Sequence, residues 1–399
     1  MEEFVDNIEM VDAGMDPYPI SLRGINWIKF LSIYNINNSK INDSLYGQYY
    51  ILHDNIEYHL LGNHLLENAF SLLFGAYYFQ DDLLYQTSKK ILISELEEQI
   101  LDDGGHFELS PMYHQIILFR LLESINLLQN NMWKNRELLN LLVAKAKVML
   151  GWLKMMTYSD GSIPLLNDSC NNIAPTSRQL FEYAERLKID PKKKKLNQSG
   201  YRKVVTSCYE LVIDVGHIGP DYIPGHAHSD TFSFELRKRD KPFIVDTGLS
   251  TYEANERRRV ERSTYSHNTV QVNNKEQSEV WGAFRVAKRA KVIDLQETSN
   301  VIKATHDGYK GEGVFHTREW SFAMDHLIIS DTLSSKAEGI SRIHFHPNVS
   351  DAEIHNSIEI MDNDYTIQEY NFSPEFNKKF KALMIEVKFT KSLVLKIKL

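Results

Sequence analysis

The sequence predicts an α+β protein of more than one domain, helices first and an antiparallel β-sandwich second. Three observations carry that reading. Apolar residues recur at helical spacing from about residue 18 to residue 187. From Tyr201 onward the period becomes two. Between them lies a polar, lysine-rich run, Pro191-Lys192-Lys193-Lys194-Lys195 followed by Asn197-Gln198-Ser199-Gly200, which reads as a solvated linker. Spacings of three and four gather side chains on one helix face, whereas alternation gathers them on one strand face. A chain of 399 residues also exceeds what one hydrophobic core usually serves. The expected division is a helical domain over 1–188, a linker over 189–200 and a sandwich over 201–399.

In the first half the segment 55–79 has the clearest pattern, with Leu61, Leu65, Leu66, Ala69, Phe70, Leu72, Leu73 and Phe74 making a broad apolar face. Further helices are expected over 22–33, 44–53, 82–100, 111–128, 136–156 and 177–187. Turn-forming clusters such as Asp102-Asp103-Gly104-Gly105 and Ser159-Asp160-Gly161 separate them. Short connections suggest helical hairpins packed side by side. In the second half, 211–215, 232–236, 243–245, 269–272 and 393–397 read as strands. No clear helical segment intervenes, which favours an antiparallel sandwich over a βαβ sheet.

Hydrophobic residues make up 43% and charged residues 25%, ordinary for a globular protein. The formal net charge of −8 argues against a nucleic-acid binder, although a local basic patch could still hold an anionic ligand. Cys170 and Cys208 form no CxxC pair, so neither a disulfide framework nor a thiolate zinc site is readable. The start, MEEFVDNIEM, has no basic and apolar signal pattern, and no apolar run is long enough for a bilayer. The expectation is a cytoplasmic chain by default, without membrane insertion.

Three polar interruptions stand out. Gly62-Asn63-His64-Leu65-Leu66-Glu67-Asn68 sets Asn63 and Glu67 four apart on one face of an otherwise apolar helix. Such groups need partners if buried, and a network tying helices together is the plain alternative to a binding role. Asp103-Gly104-Gly105-His106-Phe107-Glu108 runs into Ser110-Pro111-Met112-Tyr113-His114. Ser110 suits an N-cap and Pro111 the first helical position, which puts Tyr113 in the first turn. Pro224-Gly225-His226-Ala227-His228-Ser229-Asp230 is expected to enter a strand, with His226, His228 and Asp230 on one face. Two such histidines can bind a metal, or one can act as a base. The cupin spacing is not met, because Glu235 comes seven residues after His228. Asp246 and His267 add nitrogen and oxygen donors to His228. The window 237–262 holds eight Lys/Arg against five Asp/Glu, read either as a solvated edge or as a polyanion-binding rim.

These pieces together resemble the heparinase II/III-type polysaccharide lyases. The likeness rests on Pro17-Tyr18-Pro19-Ile20-Ser21-Leu22-Arg23…Asn26-Trp27 and on the Asn63–Asn68 and Asp103–His114 strings. It continues through Gly225–Asp230, Val245-Asp246-Thr247-Gly248, Arg262-Ser263-Thr264…His267-Asn268-Thr269-Val270 and Gln277-Ser278-Glu279-Val280-Trp281-Gly282…Phe284-Arg285 to Arg342-Ile343-His344-Phe345-His346-Pro347. The motifs are individually weak and specific in their joint order. The resemblance implies an incomplete (α/α) toroid followed by an antiparallel β-sandwich. It implies catalytic roles for Tyr113 and His226, with Asn63 and His64 on the substrate carboxylate. Substrate contacts are expected at Glu67, His106, Tyr252 and Arg262. It also implies a structural zinc or similar divalent metal on His228, Asp246 and His267.

The implied reaction is β-elimination on a uronate in an acidic polysaccharide. A base removes the C5 proton, an acid protonates the departing C4 oxygen, and the carboxylate must be neutralised as enolate charge develops. Asn63 and His64 suit the last task. Tyr113 can serve as base or acid if cationic neighbours lower its pKa, and His226 titrates near neutrality. Two other readings remain: a non-catalytic glycan-binding or surface-polysaccharide assembly protein, and a uronate C5-epimerase.

Overall fold

The computed structural model describes residues 1–10 and 13–399. The helices are α1 (Glu2–Asp6), α2 (Pro17–Ile33), α3 (Ser39–Asp54), α4 (Gly62–Phe79), α5 (Asp82–Gln99), α6 (Pro111–Gln129), α7 (Glu137–Met156) and α8 (Ser177–Arg186). Their starts follow from local chemistry. Pro17 opens α2, Asn38 Oδ1 accepts the Ile41 amide at 3.2 Å before α3, and Asp81 Oδ1 accepts that of Leu84 at 3.1 Å before α5. Among the described residues no helix is long and apolar enough to cross a membrane.

The helix expected over 55–79 begins only at Gly62. Residues before it fold back as turns, because Asn68 accepts the Glu57 amide at 3.0 Å and donates to Glu57 Oε2 at 2.9 Å. Leu61, at φ 54, marks the break. Close helix packing here depends on glycine: a Cβ at Gly24 would lie 2.6 Å from the Tyr49 hydroxyl, and one at Gly75 2.7 Å from the Tyr49 ring. Tyr49 is thereby fully buried between α2 and α4.

The strands are β1 (Tyr201–Val205), β2 (Tyr209–Asp214), β3 (Phe234–Lys238), β4 (Lys241–Ile244), β5 (Val270–Val272), β6 (Glu279–Trp281), β7 (Arg285–Ala287), β8 (Val292–Glu297), β9 (Val301–His306), β10 (His316–Phe322), β11 (His326–Leu333), β12 (Gly339–His344), β13 (Ile358–Met361), β14 (Tyr365–Phe372), β15 (Phe380–Phe389) and β16 (Ser392–Lys398). They form sheets in the orders β1-β2-β3-β4, β13-β16-β11-β10-β9-β8 and β14-β15-β12-β5, plus the ribbon β6-β7. Neighbouring strands run antiparallel, as in the registers Tyr201 with Asp214 and His316 with Leu333. Alternating residues of the larger sheets, among them Leu211, Phe234, Trp320, Ile329, Ile385 and Leu395, share one apolar core.

Two expectations for this half need correction. Short helices do interrupt it, Glu256–Glu261 (α9) and Asp351–Ser357 (α10), and the Asn255 and Ser350 side chains cap them. Residues 226–230 form a loop rather than a strand, and β3 starts only at Phe234. Phe232 lies at φ 70, which breaks the extended run.

The chain forms two compact units, which do not follow a single cut near residue 188. The first takes Met1–Gly104, Ile116–Gly151 and Gln179–Lys192; the second takes Gly105–Gln115, Trp152–Arg178 and Lys193–Leu399. The first turn of α6, with Tyr113, therefore counts with the sandwich.

Within the second unit Arg318 is fully buried. It donates from Nε and Nη2 to the two Asp331 oxygens at 2.7 and 2.8 Å, and from Nη1 to the carbonyls of Phe232 and Asn268 at 3.0 and 2.6 Å. Replacing it by methionine leaves Asp331 buried without its counter-ion. Arg318→Met is expected to lower stability by about 3–5 kcal/mol. Urea unfolding midpoints of the two proteins check this; equal midpoints would show that the pair contributes nothing.

Candidate active site

The loop Asn167-Asp168-Ser169 sets the geometry of the second unit's polar centre. Ser110 Oγ donates to the Asp168 carbonyl at 2.7 Å and accepts the Tyr113 amide at 3.2 Å, so the expected N-cap also ties the start of α6 to this loop. Ser169 Oγ accepts the Met112 amide at 3.2 Å. On the other side the Asp168 amide donates to the His226 carbonyl at 3.1 Å, and Asn167 Oδ1 accepts the His228 amide at 3.0 Å. One short loop thus positions both Tyr113 and the 226–228 segment.

The Asp168 carboxylate is fully buried. It accepts His226 Nδ1–H at 2.9 Å, His228 Nε2–H at 2.7 Å and both Nη groups of Arg258, the Nη2 bond being 2.7 Å. Burial opposes its ionisation, but the Arg258 charge and the two imidazole hydrogen bonds outweigh that and hold it well below the usual carboxylate range. A carboxylate can only accept, so the His226 proton sits on Nδ1 and Nε2 becomes the basic nitrogen of the neutral ring. Sequence reasoning missed Asp168, because Asn-Asp-Ser after a proline looks like any turn.

The Tyr113 and His226 rings stack with centroids 3.9 Å apart. The Tyr252 hydroxyl donates to that of Tyr113 at 3.2 Å, and its ring lies 6.1 Å from His226. Burial, then the Asp168 charge, raises Tyr252 well above the usual tyrosine range, so it stays a donor. Phe284, 41% exposed, meets His226 edge-on at 6.0 Å. It sits just after the β6 strand, where Ala283 O accepts Arg258 Nε and Arg262 Nη1, each at 3.0 Å. Phe284 lies in the Gln277–Arg285 string that carries the family resemblance, and aromatic spacing alone does not single it out.

The other expected residues are largely buried or committed to internal partners. Asn63 and His64 belong to the first unit. Asn63 is buried, and His64 Nδ1 pairs with Glu57 Oε1 at 3.2 Å. Glu67 is buried and accepts Arg120 Nε at 3.1 Å, with Arg120 also bound to Glu123, which is the helix-tying network rather than an open substrate contact. His106 is 1% exposed and is pushed down to about 4 by burial. Arg262 is 0% exposed and donates to Ala227 O at 2.9 Å, so it braces the loop and offers no free face to a substrate. In the basic window Arg237, Arg258 and Arg262 are buried, and Arg237 pairs with Asp160, Arg257 with Glu261, Arg258 with Asp168 and the exposed Arg259 with Glu256. The buried arginines are thus spent on structure, whereas Arg239, Lys241 and Arg259 stay exposed.

The metal expectation can be tested on donor chemistry. His267 Nδ1–H donates to Asp246 Oδ2 at 2.7 Å, and the His228 and His267 rings are 5.2 Å apart. His228 Nδ1 and His267 Nε2 are buried with no hydrogen-bond partner. Burial pushes His228 down to about 4, which keeps it in the neutral form that ligates. Burial also disfavours charge on His267, but Asp246 outweighs it and raises that ring, so an ion there must displace a proton. The donors therefore suit a zinc-class ion. Among the described residues, however, no three such side chains are gathered into a ready cage.

A model described as heparinase II/III-like, C-terminal, matches residues 188–388, and one for the heparinase II/III N-terminus matches residues 29–197. The chain belongs to the heparinase II/III-like family. A heparin-sulfate lyase of Bacteroides stercoris is 25% identical over 334 residues, covering 76% of this chain and 48% of that protein. The chain thus spans about half the length of that curated relative. A crystal structure of heparinase III superposes with a TM-score of 0.76 at 16% identity, over 96% of this chain and 69% of that one. A mutant heparan sulfate lyase of Pedobacter heparinus gives 0.69 at 18% identity, over 96% and 68%. These solved structures share the fold of this heparinase II/III-like chain, helices followed by antiparallel sheets.

Because the Asp168 pKa is depressed on folding, its contribution is present above the ordinary carboxylate value of about 3.9 and is lost as pH falls through the lower folded value. Asp168→Asn removes the charge opposite buried Arg258, and a neutral-pH loss of about 3–5 kcal/mol is expected. Below about pH 4 the wild type should converge on the variant. Urea midpoints measured across pH test this; a gap that does not shrink in acid would contradict it.

Proposed function

We propose that this chain is a polysaccharide lyase that cleaves a uronate-containing acidic polysaccharide by β-elimination. The observation that carries the reading is the stacked Tyr113–His226 pair, with Tyr252 donating to the Tyr113 oxygen and Asp168 fixing the His226 tautomer. Two groups able to exchange protons lie face to face beside an exposed aromatic, Phe284. That arrangement suits a sugar ring, which presents apolar C–H faces and hydroxyl edges.

In the proposed reaction a base removes the C5 proton, the electron pair forms the C4=C5 double bond, and the C4–O bond breaks. An acid protonates the departing oxygen. His226 Nε2 and the Tyr113 hydroxyl share these two roles. The configuration at C5 decides which is the base. The Tyr252 donor stabilises the Tyr113 oxygen whenever it gives up its proton. A zinc-class ion, when bound by His228, Asp246 and His267, would supply fixed positive charge that orients the loop carrying His226. The similarity to a heparin-sulfate lyase and a heparan sulfate lyase supports an acidic polysaccharide as substrate.

Tyr113→Phe removes one oxygen and keeps the ring stack, so elimination is expected to fall by about 10²–10⁴-fold with the fold intact. The assay follows ultraviolet absorbance of the unsaturated product on a panel of uronate polysaccharides. Full activity in the variant would remove Tyr113 from the mechanism. Wild-type binding without absorbance would favour a glycan-binding protein, and deuterium uptake at C5 without absorbance an epimerase.

For the metal, protein purified without chelator is expected to carry about one zinc-class ion per chain, and His228→Ala to lose it. Elemental analysis gives the stoichiometry, and chelation should lower the melting temperature of the wild type only. A metal-free wild type unchanged by added zinc would end this part of the proposal.

A further inference from the structure

Apart from the Tyr113–His226 set, the second unit contains a cavity of about 430 Å³ among Tyr158, Asp160, Glu235, Arg237, His346 and Phe380. That volume falls within the range of small-ligand sites. The His344-Phe345-His346-Pro347 run, which the catalytic reading leaves without a role, divides here. His344 pairs inward with Asn268 Oδ1 at 3.1 Å, whereas His346 and Pro347 line the cavity.

The walls combine one buried donor with apolar surface. Arg237 is 6% exposed; its Nη2 donates to Asp160 and to Asp240 O, and its Nε has no hydrogen-bond partner. A buried guanidinium N–H in that state calls for an acceptor oxygen. Phe372, Phe380 and Pro347 supply flat apolar surface, and Phe380 is 47% exposed. Glu235 is a wall rather than a ligand group, because its oxygens already accept Leu165 N at 2.9 Å, Asp246 N at 3.2 Å and the Tyr158 hydroxyl at 3.0 Å.

Charge selects the class of occupant. Asp160 already offsets Arg237. Burial, and then the Arg237 charge, holds His346 below the usual histidine range, so it adds no cation. Glu375, also on the wall, carries negative charge partly met by Lys378. A sulfate or uronate would enter without a free counter-charge, whereas an uncharged hydroxyl-rich ring finds both donors and acceptors.

We infer that this cavity binds a single uncharged pyranose, a hexose or N-acetylhexosamine unit, with its ring packed on Phe380 and its hydroxyls paired with Arg237 and Asp160. The inference does not depend on the lyase reading, since none of these residues is assigned to the reaction.

The test titrates the full chain with the methyl β-glycosides of N-acetylglucosamine, glucose and glucuronic acid, by calorimetry and by saturation-transfer NMR. Saturable binding of at least one neutral glycoside is expected, with the glucuronide about tenfold weaker or more. Phe380→Ala should weaken the neutral sugar by about tenfold, and Ser162→Trp, which puts a bulky ring on the lining, should abolish binding; Tyr113→Phe should leave it unchanged. Circular dichroism verifies that each variant is folded. Absence of saturable binding by both neutral glycosides overturns the inference. So does equal binding of the glucuronide, or binding indifferent to both cavity variants.

Discussion

The polar centre of this protein depends on one buried carboxylate. Asp168 accepts two hydrogen bonds from Arg258 and one each from His226 and His228. Burying a charge in this way is tolerable only when its partners are numerous and well aimed. Arg258 meets that need and also reaches Ala283 O, so the support of Asp168 also fixes the turn that carries Phe284. The Asp168 backbone adds the remaining ties, to Ser110 at the start of α6 and to His226. Tyr113, His226 and Phe284 are distant in sequence. They hold mutual positions because each is referenced to this residue or to the arginine that neutralises it.

The sheets provide the rigid frame behind that centre. Asn268 donates to the carbonyls of Phe234 and Val245 at 2.8 and 2.9 Å and accepts the His344 amide at 2.7 Å, linking residues around β3, β4 and β12. Arg318 joins the same region to Asp331. Between these braces Phe232 adopts φ 70, a conformation costly for a large side chain. Its amide donates to Asp214 O at 3.1 Å and its carbonyl accepts Arg318 Nη1, so the surroundings impose the conformation. The strained residue closes the loop that begins at His226. Rigid strands therefore hold an irregular segment in one fixed conformation.

Much of this was legible from periodicity and from short motifs. The change of period from helical to alternating corresponds to the real change of architecture, and the Ser110-Pro111 signal gave the N-cap of α6 and the place of Tyr113 in its first turn. What failed did so for identifiable reasons. The apolar pattern over 55–79 concealed a helix start set by long-range bonds between Glu57 and Asn68. Alternation at 226–230 imitated a strand, although the segment is held by side chains of residues far away in sequence, Asp168 and Asn167. Asn255 capped a helix that strand-like surroundings masked. Arg257-Arg258-Arg259 looked like a rim because composition cannot tell a solvated arginine from one whose carboxylate partner lies ninety residues earlier. Partner identity across long sequence separations is the information a single sequence lacks.

The two histidines beside this centre bear on the metal question. Each directs one ring nitrogen to a carboxylate, His228 to Asp168 and His267 to Asp246, and each keeps the other nitrogen buried without a partner. Asp230 Oδ2 is a third buried atom in that state. Unsatisfied buried polar atoms are rare, and each costs stability unless something pairs with it. Asp168 stands to His228 as the usual outer carboxylate that orients a ligating imidazole, whereas Asp246 belongs to the proposed ligand set itself. An ion held here would find its His228 ligand oriented by Asp168, the same carboxylate that orients His226, the imidazole proposed to react. Its influence on the chemistry then passes through that shared carboxylate, which makes positioning the simpler role for it than direct participation.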